Sequence, residues 1–172
     1  MSTVIVYFHG YGSSAQTDKV QKLRDAGYTV YCWTYDTDTY PVDNIDYLDD
    51  CIYHLMANDI ESEHKYVFVG TSLGAWYAAR LAKLWYCKTV LINPAVDPGV
   101  SLAKFGVATD VLEQYTPLEF SSRDTVVLGT NDELFDFSRV DFCGARHVYQ
   151  VEGGDHRMSE KFDRVLEFIR EI

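Results

Sequence analysis

The feature that most constrains the fold is an alternation of short apolar, β-branched segments with segments whose apolar residues recur at helical spacing. Strands are predicted over residues 4–8, 29–35, 66–69, 89–92, 125–128 and 147–151. Helices are predicted over residues 15–26, 45–56, 73–84 and 162–169. Continuous apolar strands that alternate with helices are typical of a parallel sheet with helices on both faces. The sequence therefore predicts an α/β fold with a mostly parallel sheet of about six strands.

Length and composition indicate a single domain over residues 1–172. The chain is 47% hydrophobic and rich in aromatic residues, which is enough to form one core. Its formal net charge of -11 repels phosphate backbones, so nucleic acid is not an expected partner. No apolar run approaches the ~20 residues that a membrane span requires. Membrane insertion is not expected, and the oligomeric state stays open.

The cysteines and the first residues of the chain both favour a cytoplasmic protein. Cys32, Cys51, Cys87 and Cys143 are far apart and form no Cys-x-x-Cys pair, which argues against a zinc or redox motif. The chain enters an apolar strand at once, without the basic leader and long apolar segment of a signal peptide. We expect a reducing compartment and no bound metal.

The most informative motif follows the third predicted strand. Gly70-Thr71-Ser72-Leu73-Gly74 is a Gly-x-Ser-x-Gly sequence with a strand before it and a helix after it. In this setting a serine sits on a sharp turn above the sheet, and its hydroxyl becomes a candidate nucleophile. Ser72 is the predicted nucleophile of an enzyme that forms an acyl-serine intermediate.

A serine nucleophile needs a base, and the base needs an acid that orients it. In this arrangement the acid and then the histidine follow the serine along the chain. Asp132 comes directly after the fifth strand, and His156 lies on the turn after the sixth. Glu133 and Asp136 are alternative acids, with Asp136 the stronger of the two.

The loop after the first strand, residues 9–14, is expected to complete the oxyanion hole. The backbone N–H of Leu73 would supply one donor, and the N–H of Tyr11 would supply the second. His9 is expected to brace this loop through its ring nitrogens. Candidate residues of the substrate pocket are Tyr11, Trp76, Phe135 and Met158.

A short cap is predicted over residues 97–122. Its apolar residues would either cover a small acyl pocket or pack into the core. A short cap favours short-chain esters or thioesters over triglycerides.

Two other functions are compatible with parts of the sequence. Gly10-x-Gly12-x-x-Ala15 with Asp36 about 20 residues later matches a dinucleotide-binding fingerprint, which would suit a nicotinamide-dependent oxidoreductase. That interpretation leaves the loops of Ser72, Asp132 and His156 unexplained. A non-catalytic α/β-hydrolase scaffold, whose acidic surface binds a basic partner, is the second alternative.

With these motifs in view, the chain resembles the YqiA-like small esterases of the α/β-hydrolase superfamily. The matching segments are 7–10 with 13–14, 70–74, 92–96, 130–133 and 152–156. The resemblance implies carboxylester or thioester hydrolysis with Ser72, Asp132 and His156 as the triad and with no cofactor. This chain departs from the family pattern at Asp155, where Asn is usual, and at Ala75, where a second glycine is usual. The carboxylate of Asp155 is therefore expected to compete for the ring of His156.

Overall fold

A computed structural model of the chain describes residues 2–59 and 63–172, and six parallel strands form one sheet within them. The order across the sheet is β2-β1-β3-β4-β5-β6, and every neighbouring pair is parallel. The strands are β1 (Thr3–Phe8), β2 (Thr29–Tyr31), β3 (Lys65–Thr71), β4 (Lys88–Ile92), β5 (Asp124–Gly129) and β6 (His147–Val151). The predicted fold class is confirmed.

Helices cover both faces of the sheet, which explains why the central strands β1, β3, β4 and β5 are largely apolar and buried. The helices are α1 (Asp18–Asp25), α2 (Pro41–Ala57), α3 (Leu73–Trp85), α4 (Pro98–Ser101), α5 (Thr109–Leu112) and α6 (Phe162–Arg170), with a 3₁₀ turn at Ala103–Phe105. Val6 and Phe8 of β1 pack with α2 and α3, whereas Ile5 and Tyr7 pack with α1 and α6. Successive side chains of a strand point to opposite faces, so both sets of positions must be apolar.

Strand β2 is shorter than the predicted segment 29–35. It pairs only with β1, at the edge of the sheet, and it ends at Tyr31. Beyond that point the backbone bonds to side chains instead of to a neighbouring strand, since the N–H of Tyr35 donates to His9 Nε2. The residues after Tyr31 therefore support the loop that follows β1.

Helix α1 starts three residues later than predicted. The hydroxyl of Thr17 accepts a hydrogen bond from the N–H of Lys19 and caps the helix, so Asp18 is its first residue. The N–H of Ala15 donates instead to Thr34 Oγ1. The chain from His9 to Thr17 is consequently an extended loop along the carboxyl edge of the sheet.

The segment 97–122 contains α4, the 3₁₀ turn and α5. Val107, Val111 and Tyr115 are buried in the core cluster on the α3 side of the sheet. No helix among residues 2–59 and 63–172 is long and apolar enough to cross a membrane.

Candidate active site

Ser72 occupies a strained turn between β3 and α3. Its backbone dihedrals are φ 57° and ψ -121°, a region that residues with a side chain rarely adopt. Glycines on both sides permit this turn. A Cβ at Gly70 would collide with the carbonyl of Gly74, and one at Gly74 would collide with that of Phe8. Ser72 is thereby presented at the carboxyl edge of the sheet.

The structure brings Ser72, His156 and Asp132 into one chain of hydrogen bonds. His156 Nε2 lies 2.9 Å from Ser72 Oγ, and His156 Nδ1 lies 2.8 Å from Asp132 Oδ2. The His156 residue is only 6% exposed. With Asp132 ionised, the Nδ1–H group donates to the carboxylate and Nε2 is left to accept the hydroxyl proton of Ser72.

Asp132 is arranged to stay ionised. Burial raises its pKa, but hydrogen bonds from His156 and from the N–H groups of Phe135 and Leu134 outweigh burial and leave the pKa below its ordinary value. The alternative acids are used elsewhere. Asp136 accepts from the N–H of Ser138, and Glu133 accepts from the backbone N–H of His156.

Asn93, at the end of β4, fixes the loop that carries His156. Its side-chain amide donates to the carbonyls of Asp155 and His156, and its Oδ1 accepts from the N–H of Gly129. Asn93 is fully buried and has φ 42°. No role for Asn93 was predicted, although a polar residue directly after the apolar end of β4 is a usable signal.

Asp155 does not compete for the imidazole. Its two carboxylate oxygens accept hydrogen bonds from the N–H and the hydroxyl of Ser159. The departure from the family pattern at this position therefore closes the turn after His156 and leaves the His156 ring bonded to Asp132 and Ser72.

His9 contacts the loop after β1 as expected. Its Nδ1–H donates to the carbonyl of Gly10, and its Nε2 accepts from the N–H of Tyr35. Burial lowers its pKa, partly offset by the bond to Gly10, which favours the neutral ring that this pair of bonds requires. Stacking on Tyr35 at 4.0 Å between ring centroids fixes the ring further.

Of the two predicted oxyanion donors, Leu73 follows Ser72 directly and Tyr11 lines the same cavity. Leu73 is the first residue of α3, so its N–H has no partner within the helix. In the loop after β1, the N–H groups of Gly12 and Ser13 are already bonded to Thr37 Oγ1 and to the carbonyl of Gly10. The N–H of Tyr11 stays the predicted second donor.

A cavity of about 570 Å³ opens at Ser72 and His156. Its apolar wall includes Tyr11, which stacks on Phe105 at 5.3 Å, and Phe135, which contacts the ring of His156 edge-on at 4.6 Å. Leu102 also lines it, so the segment 97–122 contributes both to the cavity and to the core. A second cavity, of about 690 Å³, is lined by Asp132 but not by Ser72.

Two predicted pocket residues, Trp76 and Met158, do not line this cavity. Trp76 lies in the core on α3, where its indole N–H donates to the carbonyl of Thr116 and its ring packs on Tyr115. Met158 has φ 53° and packs beneath the turn against Phe162 and the other core residues of that face. Both assignments were wrong because α3 is buried nearly all round and because the turn directs Met158 inward.

The dinucleotide fingerprint does not have its expected geometry. Ala15 lies outside α1, the N–H of Gly12 is bonded to Thr37, and Asp36 accepts from the N–H of Asp38. Within the described part of the chain, no group of three or more His, Cys, Asp or Glu side chains could hold a metal ion.

The sheet order and the serine turn define an α/β-hydrolase fold, and solved structures share it. An esterase from Pyrococcus furiosus matches with a TM-score of 0.72 and 18% identity over 99% of this chain and 81% of that one. Est1E from Butyrivibrio proteoclasticus matches with a TM-score of 0.72 and 13% identity, over 99% of this chain and 86% of that one. A monoacylglycerol lipase from Paleococcus ferrophilus matches with a TM-score of 0.62 and 18% identity, over 98% of this chain and 96% of that one.

The chain belongs to the uncharacterised protein family UPF0227, which matches residues 4–119. A UPF0227 protein from Vibrio vulnificus is 23% identical over 179 aligned residues, which cover 98% of this chain and 96% of the relative. These matches confirm the YqiA-like resemblance. The family match includes Ser72 but ends before Asp132 and His156.

Proposed function

We propose that this protein is a serine hydrolase that cleaves short-chain carboxylic esters or thioesters through an acyl-Ser72 intermediate. The observation that carries the proposal is the hydrogen-bonded chain from Ser72 through His156 to Asp132, with both contacts below 3.0 Å. This order of groups is what converts a serine hydroxyl into a nucleophile.

In the first half of the reaction, Ser72 Oγ attacks the carbonyl carbon of the ester while His156 Nε2 takes the hydroxyl proton. Asp132 stabilises the charged imidazole and keeps its Nδ1–H oriented. The tetrahedral intermediate then collapses, the bond to the leaving group breaks, and His156 returns the proton to that group. In the second half, His156 activates water, which releases the acid from Ser72.

The negative oxygen of the tetrahedral intermediate would be stabilised by the N–H groups of Leu73 and Tyr11. The amino end of α3 adds a favourable partial positive charge at this place. In comparable enzymes, the loss of one such donor costs about 3 kcal/mol of transition-state stabilisation.

The size and lining of the cavity support a small acyl group. A volume of about 570 Å³ lies within the range of small-molecule sites. Phe105 and Leu102 of the segment 97–122 border it, so this segment would act as a short cap over the acyl chain. Every step above uses groups of this chain and water.

Cytoplasmic residence fits the state of the cysteines. Cys32, Cys51, Cys87 and Cys143 are all unpaired thiols, as is usual in a reducing compartment.

Substitution of the nucleophile tests the proposal. We expect Ser72→Ala to lower the rate of p-nitrophenyl acetate hydrolysis by several orders of magnitude, on the order of 10⁶ as in a well-studied serine hydrolase. Ser122→Ala, an exposed serine outside the cavity, is the matched control and should keep full activity. Comparable rates for Ser72→Ala and the unmodified protein would refute the assignment.

A further inference from the structure

A buried lysine lines the same cavity as Ser72. Lys19 lies in the first turn of α1 and is 9% exposed. Its ammonium group has three donors, yet Nζ makes no hydrogen bond to the described residues. The closest carboxylate is that of Asp18, at 3.9 Å, and the Asp18 side chain is 67% exposed to water. Among the described residues, Ser101 Oγ is the only fully buried side-chain N or O atom without a hydrogen-bond partner, so the ammonium of Lys19 still reaches solvent while its aliphatic stem is buried. Its donors are therefore available to an anion that enters the cavity.

Arg157 adds a second cation to this wall. It follows His156 directly, lines the cavity and is exposed, and its guanidinium makes no hydrogen bond within the described part of the chain. Asp155 is bonded to Ser159 and makes no ion pair with Arg157 among the described residues. The neighbouring cation Lys22 donates to the carbonyl of Ser159 and does not line the cavity.

The electrostatics around Lys19 agree with a cation that lacks compensation. Burial is the main cause that lowers its pKa, and Arg157 and Lys22 lower it further, whereas Asp18 and Asp155 raise it. The net effect is a pKa below the ordinary value for lysine. A bound anion would reverse this, because it would favour the charged ammonium.

We propose that Lys19 and Arg157 form an anion-binding subsite of the active site and that the natural ester carries a carboxylate or similar negative group. This inference rests on the proposed hydrolase function and specifies its substrate class. The cavity of Ser72 is lined by the cationic side chains of Lys19 and Arg157 and by one carboxylate, that of Asp18. Lys19 and Arg157 line one cavity with Ser72. The anion can therefore belong either to the acyl part or to the leaving group of the ester.

The test compares anionic and neutral esters of matched shape. For the acyl part, the pair is mono-p-nitrophenyl adipate and p-nitrophenyl 6-methylheptanoate, in which an isopropyl group replaces the carboxylate. For the leaving group, the pair is 3-carboxyphenyl acetate and 3-isopropylphenyl acetate. The measured quantity is kcat/KM of the unmodified protein, Lys19→Met and Arg157→Gln, with background rates taken from Ser72→Ala.

We expect Lys19→Met to lower kcat/KM about 10- to 100-fold for the anionic ester of one pair, as the loss of a charge-assisted hydrogen bond predicts. The rate for its neutral partner should change less than about threefold. Arg157→Gln should act in the same direction, more weakly because it is exposed. Which pair responds identifies the part of the substrate that carries the anion.

Lys83→Met is the matched control. It removes one positive charge from the exposed last turn of α3, at the opposite end of that helix from Ser72. The ratio of kcat/KM for the anionic ester to that for its neutral partner should stay unchanged in both pairs. Equal losses for anionic and neutral esters in Lys19→Met, or no preference in either pair, would overturn the subsite while leaving the hydrolase intact. An unmodified protein that hydrolyses no ester would overturn the proposed function.

Binding without turnover tests the subsite separately. Titration calorimetry with adipate should detect binding to Ser72→Ala and at least tenfold weaker binding to the Ser72→Ala, Lys19→Met double variant. Thermal melting followed by circular dichroism checks that both variants are folded. Equal affinity in the two variants, or no binding to Ser72→Ala of either adipate or 3-hydroxybenzoate, the product of the anionic leaving group, would contradict the proposal.

Discussion

At the scale of single residues, the candidate site depends on polar side chains whose hydrogen bonds are nearly all made within the fold. Asn93 is the clearest case, since one buried amide joins the end of β5 to the loop of His156. Such a group keeps the imidazole in place without touching a reacting atom. Asn93 is therefore a positioning residue.

We expect Asn93→Ala to destabilise the fold by about 3 kcal/mol, because it leaves one N–H and two carbonyls without their partner. The freed loop should also lower kcat for ester hydrolysis at least tenfold and change KM less, since the imidazole is misplaced. Chemical denaturation and steady-state kinetics measure these effects. Asn131→Ala, an exposed residue outside the cavity, is the control. A variant that is less stable but keeps normal kcat would exclude the positioning role.

Some residues of the site could be predicted from the sequence and others could not. Ser72 and His156 could be predicted because motif and chain order place them on loops after strands. Lys19 could not be recognised as part of a cavity, because a lysine in the first turn of a helix is normally exposed. Trp76 was misplaced for the converse reason, since the first two turns of α3 are buried on all sides.

At the scale of elements, the loops after β5 and β6 act as one unit. The N–H of Asn131 donates to the carbonyl of Gly154, and Gly129 lies so close to Gly154 that a Cβ there would collide with its backbone. Asp155 closes the next turn through Ser159. This packing aligns Asp132 with His156 although the two residues belong to different loops.

The turn at Asp155 should make stability depend on pH. Burial raises the pKa of Asp155, but the bonds from Ser159, assisted by Lys19, outweigh it and lower the pKa. The unfolded value is about 3.9, so the stabilisation is complete above that pH and is lost as the pH falls through the lower folded value.

We expect Asp155→Asn to lower the free energy of unfolding by about 0.5 kcal/mol between pH 5 and 7, after allowance for solvent screening. The difference from the unmodified protein should vanish towards pH 2.5. Urea denaturation across this range measures it, with Asp50→Asn on the exposed side of α2 as the control. A difference that grows as the pH falls would contradict the sign.

Element types were predictable from the sequence, and element boundaries were less so. Alternation of apolar strands and amphipathic helices is sufficient for a parallel sheet. The early end of β2 and the late start of α1 depend on Thr34, Tyr35 and His9, which meet only after folding. Local pattern contains no information about such contacts.

At the scale of the whole molecule, the sheet brings together groups that are distant in sequence. Ser72 and His156 are 84 residues apart, and their side chains lie 2.9 Å apart because β3, β5 and β6 end at the same edge. The cavity between this edge and the segment 97–122 would then hold the ester. We infer that this convergence makes Ser72 reactive.

Covalent labelling with a fluorophosphonate, followed by mass spectrometry of the peptides, tests this claim most directly. We expect one label, on Ser72, which disappears in Ser72→Ala and forms much more slowly in His156→Ala, while Ser122→Ala labels normally. A folded protein that is not labelled, or is labelled equally well without His156, would contradict the account.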